Sequence, residues 1–271
     1  MKSTESMITQ EPIIQVRGLK KYFGSKEKGQ VHAVDDISFD INSEETVGLV
    51  GESGCGKSTV GNLLVRLLEV TEGNIYCEGK DIVHANPKEL RELRKKVQMI
   101  FQDPYSSLNP RETIRNILSD PYQIYHMAKG KELKERVSAL AETVGLEPYI
   151  LEKFPHELDG GKRQLTGIAR ALSLDPKFIV CDEPVSALDV SVQAKIINLL
   201  IRMKEKMGLS YLFISHDLSV VRHISDRVAI MYLGQIVEIA RTEDIFRNTL
   251  HPYAIALLSA VPQIDFSSTA K

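Results

Sequence analysis

The chain has 271 residues, enough to bury a core as one large domain or one domain with an insertion. Lys and Arg number 34 against 36 Asp and Glu, a formal net charge of -2, which argues against duplex DNA as the main partner. A 43% hydrophobic, 26% charged composition is that of a soluble globular protein, and no run approaches the ~18 apolar residues of a membrane span.

Residues 1–12 read as a loose leader without the apolar core of a secretory signal. Residues 13–50 read as β: "IIQVRGL", "VHAVDDISFDI" and the short apolar "TVGLV", with the polar turn "SKEKGQ" (25–30) between the first two. From Lys57 the period becomes helical, with Val60, Leu63, Leu64, Leu67 and Leu68 at helical spacing. Short strands return over 73–83, the cluster Arg94, Lys95 and Lys96 reads as a solvated helix end, and Val97 to Phe101 is another strand. From about Pro104 to Leu172 helical patterns dominate, as in "KELKERVSALAETVGL", which closes on Gly145 as a C-cap. The α/β rhythm then resumes: "KFIVCD", a helix over 190–206, "SYLFIS", a short helix, "RVAIMYL" and "QIVEIA". The expectation is one domain over 1–271. Its α/β core spans 13–101 and 173–240, with a helical subdomain over 102–172 and a C-terminal helical extension over 241–271.

Three motifs carry chemistry. "GESGCGKS", Gly51 to Ser58, matches the phosphate-binding loop G-x-x-x-x-G-K-[ST], with an apolar strand leading in and a helix leading out. Its glycines let backbone N–H groups curl around a phosphate at a helix N-terminus. Lys57 reaches the outer phosphates and the Ser58 hydroxyl binds Mg²⁺. The bland reading is a glycine-rich turn, which the strand and helix on either side disfavour. A serine-hydrolase elbow, G-x-S-x-G, fails because Cys55 stands where its last glycine belongs. "KFIVCDEP" ends a buried strand on Asp182, placed to hold the metal, and Glu183, placed to orient and polarise a water; without the loop, two surface acids would explain it as well. "SYLFISHD" ends another strand near His216, on the sheet edge where ligands collect, and a γ-phosphate contact is favoured there over a structural histidine. Cys55, Cys77 and Cys181 are odd in number and widely spaced, which suggests neither a disulfide framework nor a zinc site and fits a reducing cytosol.

Taken in order, these residues resemble the ATP-binding subunit of an ABC transporter over nearly the whole chain. The resemblance implies an α/β P-loop NTPase core of the ABC ATPase type, with an antiparallel β subdomain and an inserted α-helical subdomain. It assigns ATP and Mg²⁺ as cofactors. Phe23 or Tyr22 stands where the adenine-stacking aromatic is found. Gly51, Ser53, Gly54, Cys55, Gly56, Lys57, Ser58 and Thr59 form the nucleotide loop, with Cys55 contributing backbone only. Gln102 in "IFQDP" corresponds to the glutamine that joins core to helical subdomain and reaches the metal with Ser58 and Asp182. Glu183, His216 and Gln102 are the implied catalytic set, and "SALD" (186–189) follows as the family's next loop. "LDGGK", with Asp159, Gly160 and Gly161, stands where the family has L-S-G-G-Q, a segment that faces ATP held by a second subunit.

"CDEPVSALDVSVQAKIINLL" and "LHPYAIALLSAVP" resemble the oligopeptide/dipeptide importer branch, which nickel and opine importers share. The implied partners are a second, often non-identical ATPase subunit, two membrane-spanning permease subunits and an extracytoplasmic substrate-binding protein, with no nucleic acid. The implied location is peripheral, on the cytoplasmic face of the membrane. The terminal "LHPYAIALL" is read as a core-packed helix rather than an amphipathic membrane helix. The alternative functions are a soluble ABC-type ATPase that remodels a nucleic-acid or protein complex, and a regulatory subunit without turnover. Asp159 departs from the family serine. It caps a helix equally well but cannot donate when ionised, and it brings negative charge towards phosphate, on the order of 4 kcal/mol per charge pair at ~4 Å and an effective dielectric near 20. Two readings stay open: a tolerated cap offset by Lys162 and Arg163, or a weakened ATP site built with this chain's segment.

Overall fold

The computed structural model describes residues 12–25 and 29–259, so almost all of the leader, the middle of the first polar turn and the end of the C-terminal extension lie outside the described residues. The chain runs β1 (Pro12–Ser25), β2 (Gly29–Asn42), β3 (Thr46–Val50), α1 (Lys57–Leu64), β4 (Glu72–Cys77), β5 (Lys80–Asp81), α2 (Pro87–Lys96) and β6 (Val97–Ile100). Helices α3 (Pro104–Ser107), α4 (Ile114–Ile124), α5 (Gly130–Val144) and α6 (Gly160–Leu172) follow. Then come β7 (Phe178–Asp182), α7 (Val190–Met207), β8 (Ser210–Ile214), α8 (Leu218–Ile224), β9 (Arg227–Tyr232), β10 (Gln235–Arg241), α9 (Thr242–Asn248) and α10 (Pro252–Ser259).

Two sheets organise these elements. One is antiparallel, in the order β2-β1-β4-β5; the other has the order β10-β9-β3-β8-β7-β6 and is parallel except for β10, which pairs antiparallel with β9. A parallel strand needs both faces covered, which is why β3, β7 and β8 read as continuous apolar runs. In β7, Phe178 and Val180 pack with α1 and the antiparallel sheet, while Ile179 and Cys181 pack with the helices on the opposite face. All four are fully buried, a gain of roughly 1.5–3 kcal/mol for each large side chain. The three cysteines are buried and unpaired.

Helix α1 lies between the two sheets, with Val60, Leu63 and Leu64 buried. A Cβ at Gly61 would stand 2.9 Å from Val180 Cγ1, so a glycine there lets the helix sit close on the sheet. The helix is shorter than its apolar period suggested. Arg66 takes a left-handed backbone (φ 54°), the Leu67 and Leu68 amides both turn back to the Asn62 carbonyl, and Leu67 is exposed. Leu67 therefore matches a helical spacing without belonging to the helix.

Helices α4, α5 and α6 pack together between β6 and β7 in chain order, and their apolar faces join the core on the α7 side of the parallel sheet. Gly145 ends α5 in the left-handed conformation (φ 82°), and Asn86 and Glu89 form a reciprocal cap at the start of α2, which ends in Arg94, Lys95 and Lys96.

Candidate functional site

The loop Gly51–Gly56 connects β3 to α1 under tight steric limits. A Cβ at Gly56 would stand 2.1 Å from the Ala33 carbonyl oxygen of β2, and one at Gly51 would stand 2.2 Å from the Met231 carbonyl oxygen of β9. Gly56 also has φ 110°, which L side chains rarely adopt. Only glycine lets the chain pass between these two strands and enter the helix. Lys57 is buried, and its Nζ donates to the carbonyls of Gly51 and Glu52, both at 2.8 Å, so one cation braces the turn from within. Cys55 is buried beneath the loop, and burial pushes its thiol up, so it packs as a small apolar residue.

Strand β7 carries Asp182 to the next residue of α1: Ser58 Oγ donates to Asp182 Oδ1 at 2.9 Å. Burial raises the Asp182 carboxyl above its ordinary value; the Ser58 hydrogen bond opposes the shift, Glu183 adds to it, and Lys57 opposes it. Glu183 follows with a left-handed backbone (φ 44°), its amide held by the Ile214 carbonyl at 3.0 Å. Its carboxylate accepts from Gln102 Nε2 at 2.9 Å, and Oε2 lies 3.3 Å from His216 Nδ1. Gln102 follows β6, Glu183 follows β7 and His216 follows β8, three neighbouring strands of the parallel sheet. Three segments far apart in sequence thus deliver one side chain each to the same edge, the carboxyl ends of the strands, where ligands of open α/β sheets bind.

A cavity of about 400 Å³ opens over the loop, lined by residues 53–59 with Gln102 and Glu183 on one side and Val31, His32, Leu233 and Gly234 on the other. The second group carried no sequence signal, because β2 and the β9–β10 turn reach the loop only through the fold. Of the two aromatic candidates, Tyr22 is engaged: its ring stacks on His32 at 3.9 Å and its hydroxyl donates to Asp35 Oδ1 at 2.5 Å. Phe23 is 40% exposed and pairs across the strands with cavity-lining Val31. Neither aromatic lines the cavity itself.

Asp159, Gly160 and Gly161 stand elsewhere. Asp159 caps α6, its Oδ1 accepting from the Lys162 amide at 2.8 Å, and Lys162 Nζ lies 3.7 Å from Oδ2. Gly160 and Gly161 face Leu188 and Val192, so this segment sits beside the residues that follow Glu183 and does not line the cavity.

The donor set fits a hard cation. The Ser58 hydroxyl and the buried Asp182 carboxylate are oxygen donors, and no cluster of three His, Cys, Asp or Glu able to hold a metal occurs among the described residues. Mg²⁺ suits such a pair, because it takes one or two protein oxygens and completes its shell with phosphates and water.

A family model described as "ABC transporter" matches residues 34–186, a span that holds the loop, Gln102 and both carboxylates. The chain belongs to the ABC transporter family. A second model, described as "Oligopeptide/dipeptide transporter, C-terminal region", matches residues 237–271 of this ABC chain. Among curated proteins, the oligopeptide transport ATP-binding protein AppF of Bacillus subtilis is 51% identical over 260 residues, 93% of this chain and 79% of the relative. OppF of Escherichia coli, also an oligopeptide transport ATP-binding protein, is 48% identical over 262 residues, 93% of this chain and 78% of the relative. Among solved structures, a dimeric post-hydrolysis state of an ATP-binding cassette bound to ADP and Pi superposes with a TM-score of 0.78 at 27% identity, covering 84% of this chain and 98% of that one. The cassette cbiO1 from Clostridium perfringens, part of the transporter complex cbiONQ, gives 0.76 at 26% identity, covering 88% and 92%.

Proposed function

We propose that this ABC subunit hydrolyses ATP to power an importer of oligopeptides or dipeptides. The observation that carries the ATPase reading is the meeting of Gln102, Glu183 and His216 beside the Lys57 loop. The peptide class is supported by the relatives AppF and OppF and by the C-terminal family match.

Bound Mg-ATP supplies the scissile phosphoanhydride and a cation that neutralises charge on the phosphoryl oxygens. The backbone N–H groups of Ser53 to Thr59 and the N-terminus of α1 bind the phosphates, and Lys57 adds a full positive charge. Ser58 and Asp182 would hold Mg²⁺, and Gln102 would offer it a side-chain carbonyl while its N–H₂ end donates to Glu183. Glu183 accepts a proton from the attacking water, a role worth typically 10²–10⁴-fold in rate. Gln102 and His216 fix the direction of its carboxylate, and His216 also contacts the γ-phosphate. Phe23, left exposed while Tyr22 is engaged by His32 and Asp35, stacks on adenine. Asp159, Gly160 and Gly161 face the nucleotide of a second subunit.

Residues 13–101 and 173–240 act as the nucleotide core, 102–172 as the helical subdomain that meets the permeases, and 241–271 as a C-terminal extension. The assembly pairs this chain with a second, non-identical ATPase subunit, two membrane-spanning permeases and an extracytoplasmic binding protein. No helix among the described residues is long and apolar enough to cross a membrane. The location that goes with these partners is peripheral, on the cytoplasmic face of the membrane. Co-purification and reconstitution in proteoliposomes test this reading. ATP inside should drive uptake of peptide delivered by the binding protein, and a complex without integral membrane partners, or uptake indifferent to ATP, sinks it.

A further inference from the structure

The C-terminal segment touches the phosphate loop directly. The Glu52 amide, second residue of the loop, donates to the Tyr253 hydroxyl at 3.0 Å across 201 positions of sequence. The other end of the same residue is also held, because the Glu52 carbonyl accepts from Lys57 Nζ at 2.8 Å. We infer that Tyr253 is a positioning residue for the phosphate loop, through which the C-terminal segment couples to nucleotide binding. The inference rests on the nucleotide-site reading above.

Tyr253 does not reach Glu52 by chance of a loose end. Its ring lies 4.2 Å from that of Tyr232, the last residue of β9, and its amide donates to His251 Nδ1 at 3.2 Å. The segment before it is pinned to β10 by a single carboxylate. Glu238 accepts from Thr249 Oγ1 at 2.7 Å, from the Leu250 amide at 3.1 Å and from the His251 amide at 3.0 Å. Strand β9 in turn crowds the start of the loop, where Met231 O leaves no room for a Cβ at Gly51. One connected unit, β9, β10 and the start of α10, therefore grips Gly51 and Glu52 from one side while Lys57 braces them from the other. Helix α10 itself docks on the core of the parallel sheet through buried Ala254 and the partly buried Leu257 and Leu258, which carries the Tyr253 ring to the loop. The C-terminal family match, residues 237–271, spans both Glu238 and Tyr253.

A loop held in its binding shape before ligand arrives binds more tightly, because less ordering remains to be done. Coupling of this kind is reciprocal: if docked α10 favours nucleotide, nucleotide favours docked α10 by the same factor. Tyr253→Phe keeps the ring and removes one hydrogen bond, which predicts a roughly two- to tenfold weaker Kd. The experiment titrates the full chain with a Mg-bound non-hydrolysable ATP analogue by calorimetry and follows amide hydrogen exchange over residues 252–259 with and without it. Wild type should show nucleotide-dependent protection of α10. Tyr253→Phe should bind more weakly and lose that protection, while Tyr232→Phe, which keeps the ring contact and touches no loop amide, should match wild type in both. Equal Kd and unaltered protection in Tyr253→Phe overturn the coupling. A folded wild-type chain that binds no nucleotide overturns the site reading itself, and this inference with it.

Discussion

Gly56→Ala puts a methyl group where the fold has no room for one. The new Cβ would stand 2.1 Å from the Ala33 carbonyl oxygen and 2.8 Å from Met231 Cε, on a backbone with φ 110°. The left-handed backbone costs about 1–2 kcal/mol in a residue with a side chain. Relieving the clash requires β2 and the loop to part by about 1 Å, and overpacking of that order costs about 1–3 kcal/mol more. Together they predict a loss of about 2–5 kcal/mol and a melting temperature lower by roughly 4–9 °C for a chain of this size. Gly145→Ala is the control: its backbone is also left-handed, with φ 82°, but nothing lies within 4 Å of the added Cβ. It carries the backbone term alone and should lower the melting temperature by only a few degrees. Circular dichroism melts of the three nucleotide-free chains read the difference. Titration with Mg-ATP should show Gly56→Ala binding at least tenfold more weakly and Gly145→Ala binding normally. If Gly56→Ala melts with Gly145→Ala and binds as wild type, the close approach of β2 to the loop is not what holds it.

Glu183→Gln keeps the hydrogen-bonding shape and removes the base. Steady-state hydrolysis by the assembled complex should fall about 10²–10⁴-fold with nucleotide binding retained, and robust turnover would show that the proton goes elsewhere. Asp182 has a raised folded pKa, so the sign runs against the usual carboxylate: its protonated form favours the folded chain fully below the ordinary value of 3.8, and that advantage is lost as pH rises through the folded value. Near neutral pH, Asp182→Asn should therefore melt higher than the parent without nucleotide, flatten the pH dependence and weaken Mg-ATP binding; a lower melting temperature contradicts the burial argument. Asp159 already caps α6 and lies beside Lys162, so Asp159→Ser should leave turnover per site within about threefold. An increase of tenfold at one site of the assembled complex, measured by single-turnover kinetics, would instead establish the asymmetric reading.

The parts legible in the sequence were those that local chemistry dictates. Glycines at Gly51, Gly54 and Gly56 before Lys57 announce a turn with left-handed backbone, and four apolar residues before Asp182 announce a strand covered on both faces. Strand order was not legible: β8 lies between β3 and β7, yet Ser58 still meets Asp182 because α1 crosses the sheet face between them. Leu67 matched the helical period and fell outside the helix, since nothing in the pattern reveals that Arg66 turns left-handed. His32, Leu233 and Tyr253 reach the loop only through cross-strand register and the docking of α10, contacts between distant parts of the chain that no local period encodes.

The most direct measurement is a structure of the full chain determined with Mn²⁺ in place of Mg²⁺ and a non-hydrolysable ATP analogue. The account predicts one metal bound by the Ser58 hydroxyl and the phosphates with Asp182 beside it, and Glu183 facing the terminal phosphate between Gln102 and His216. Nucleotide bound away from the Lys57 loop, or a metal with neither Ser58 nor Asp182 near it, would contradict the account at its centre.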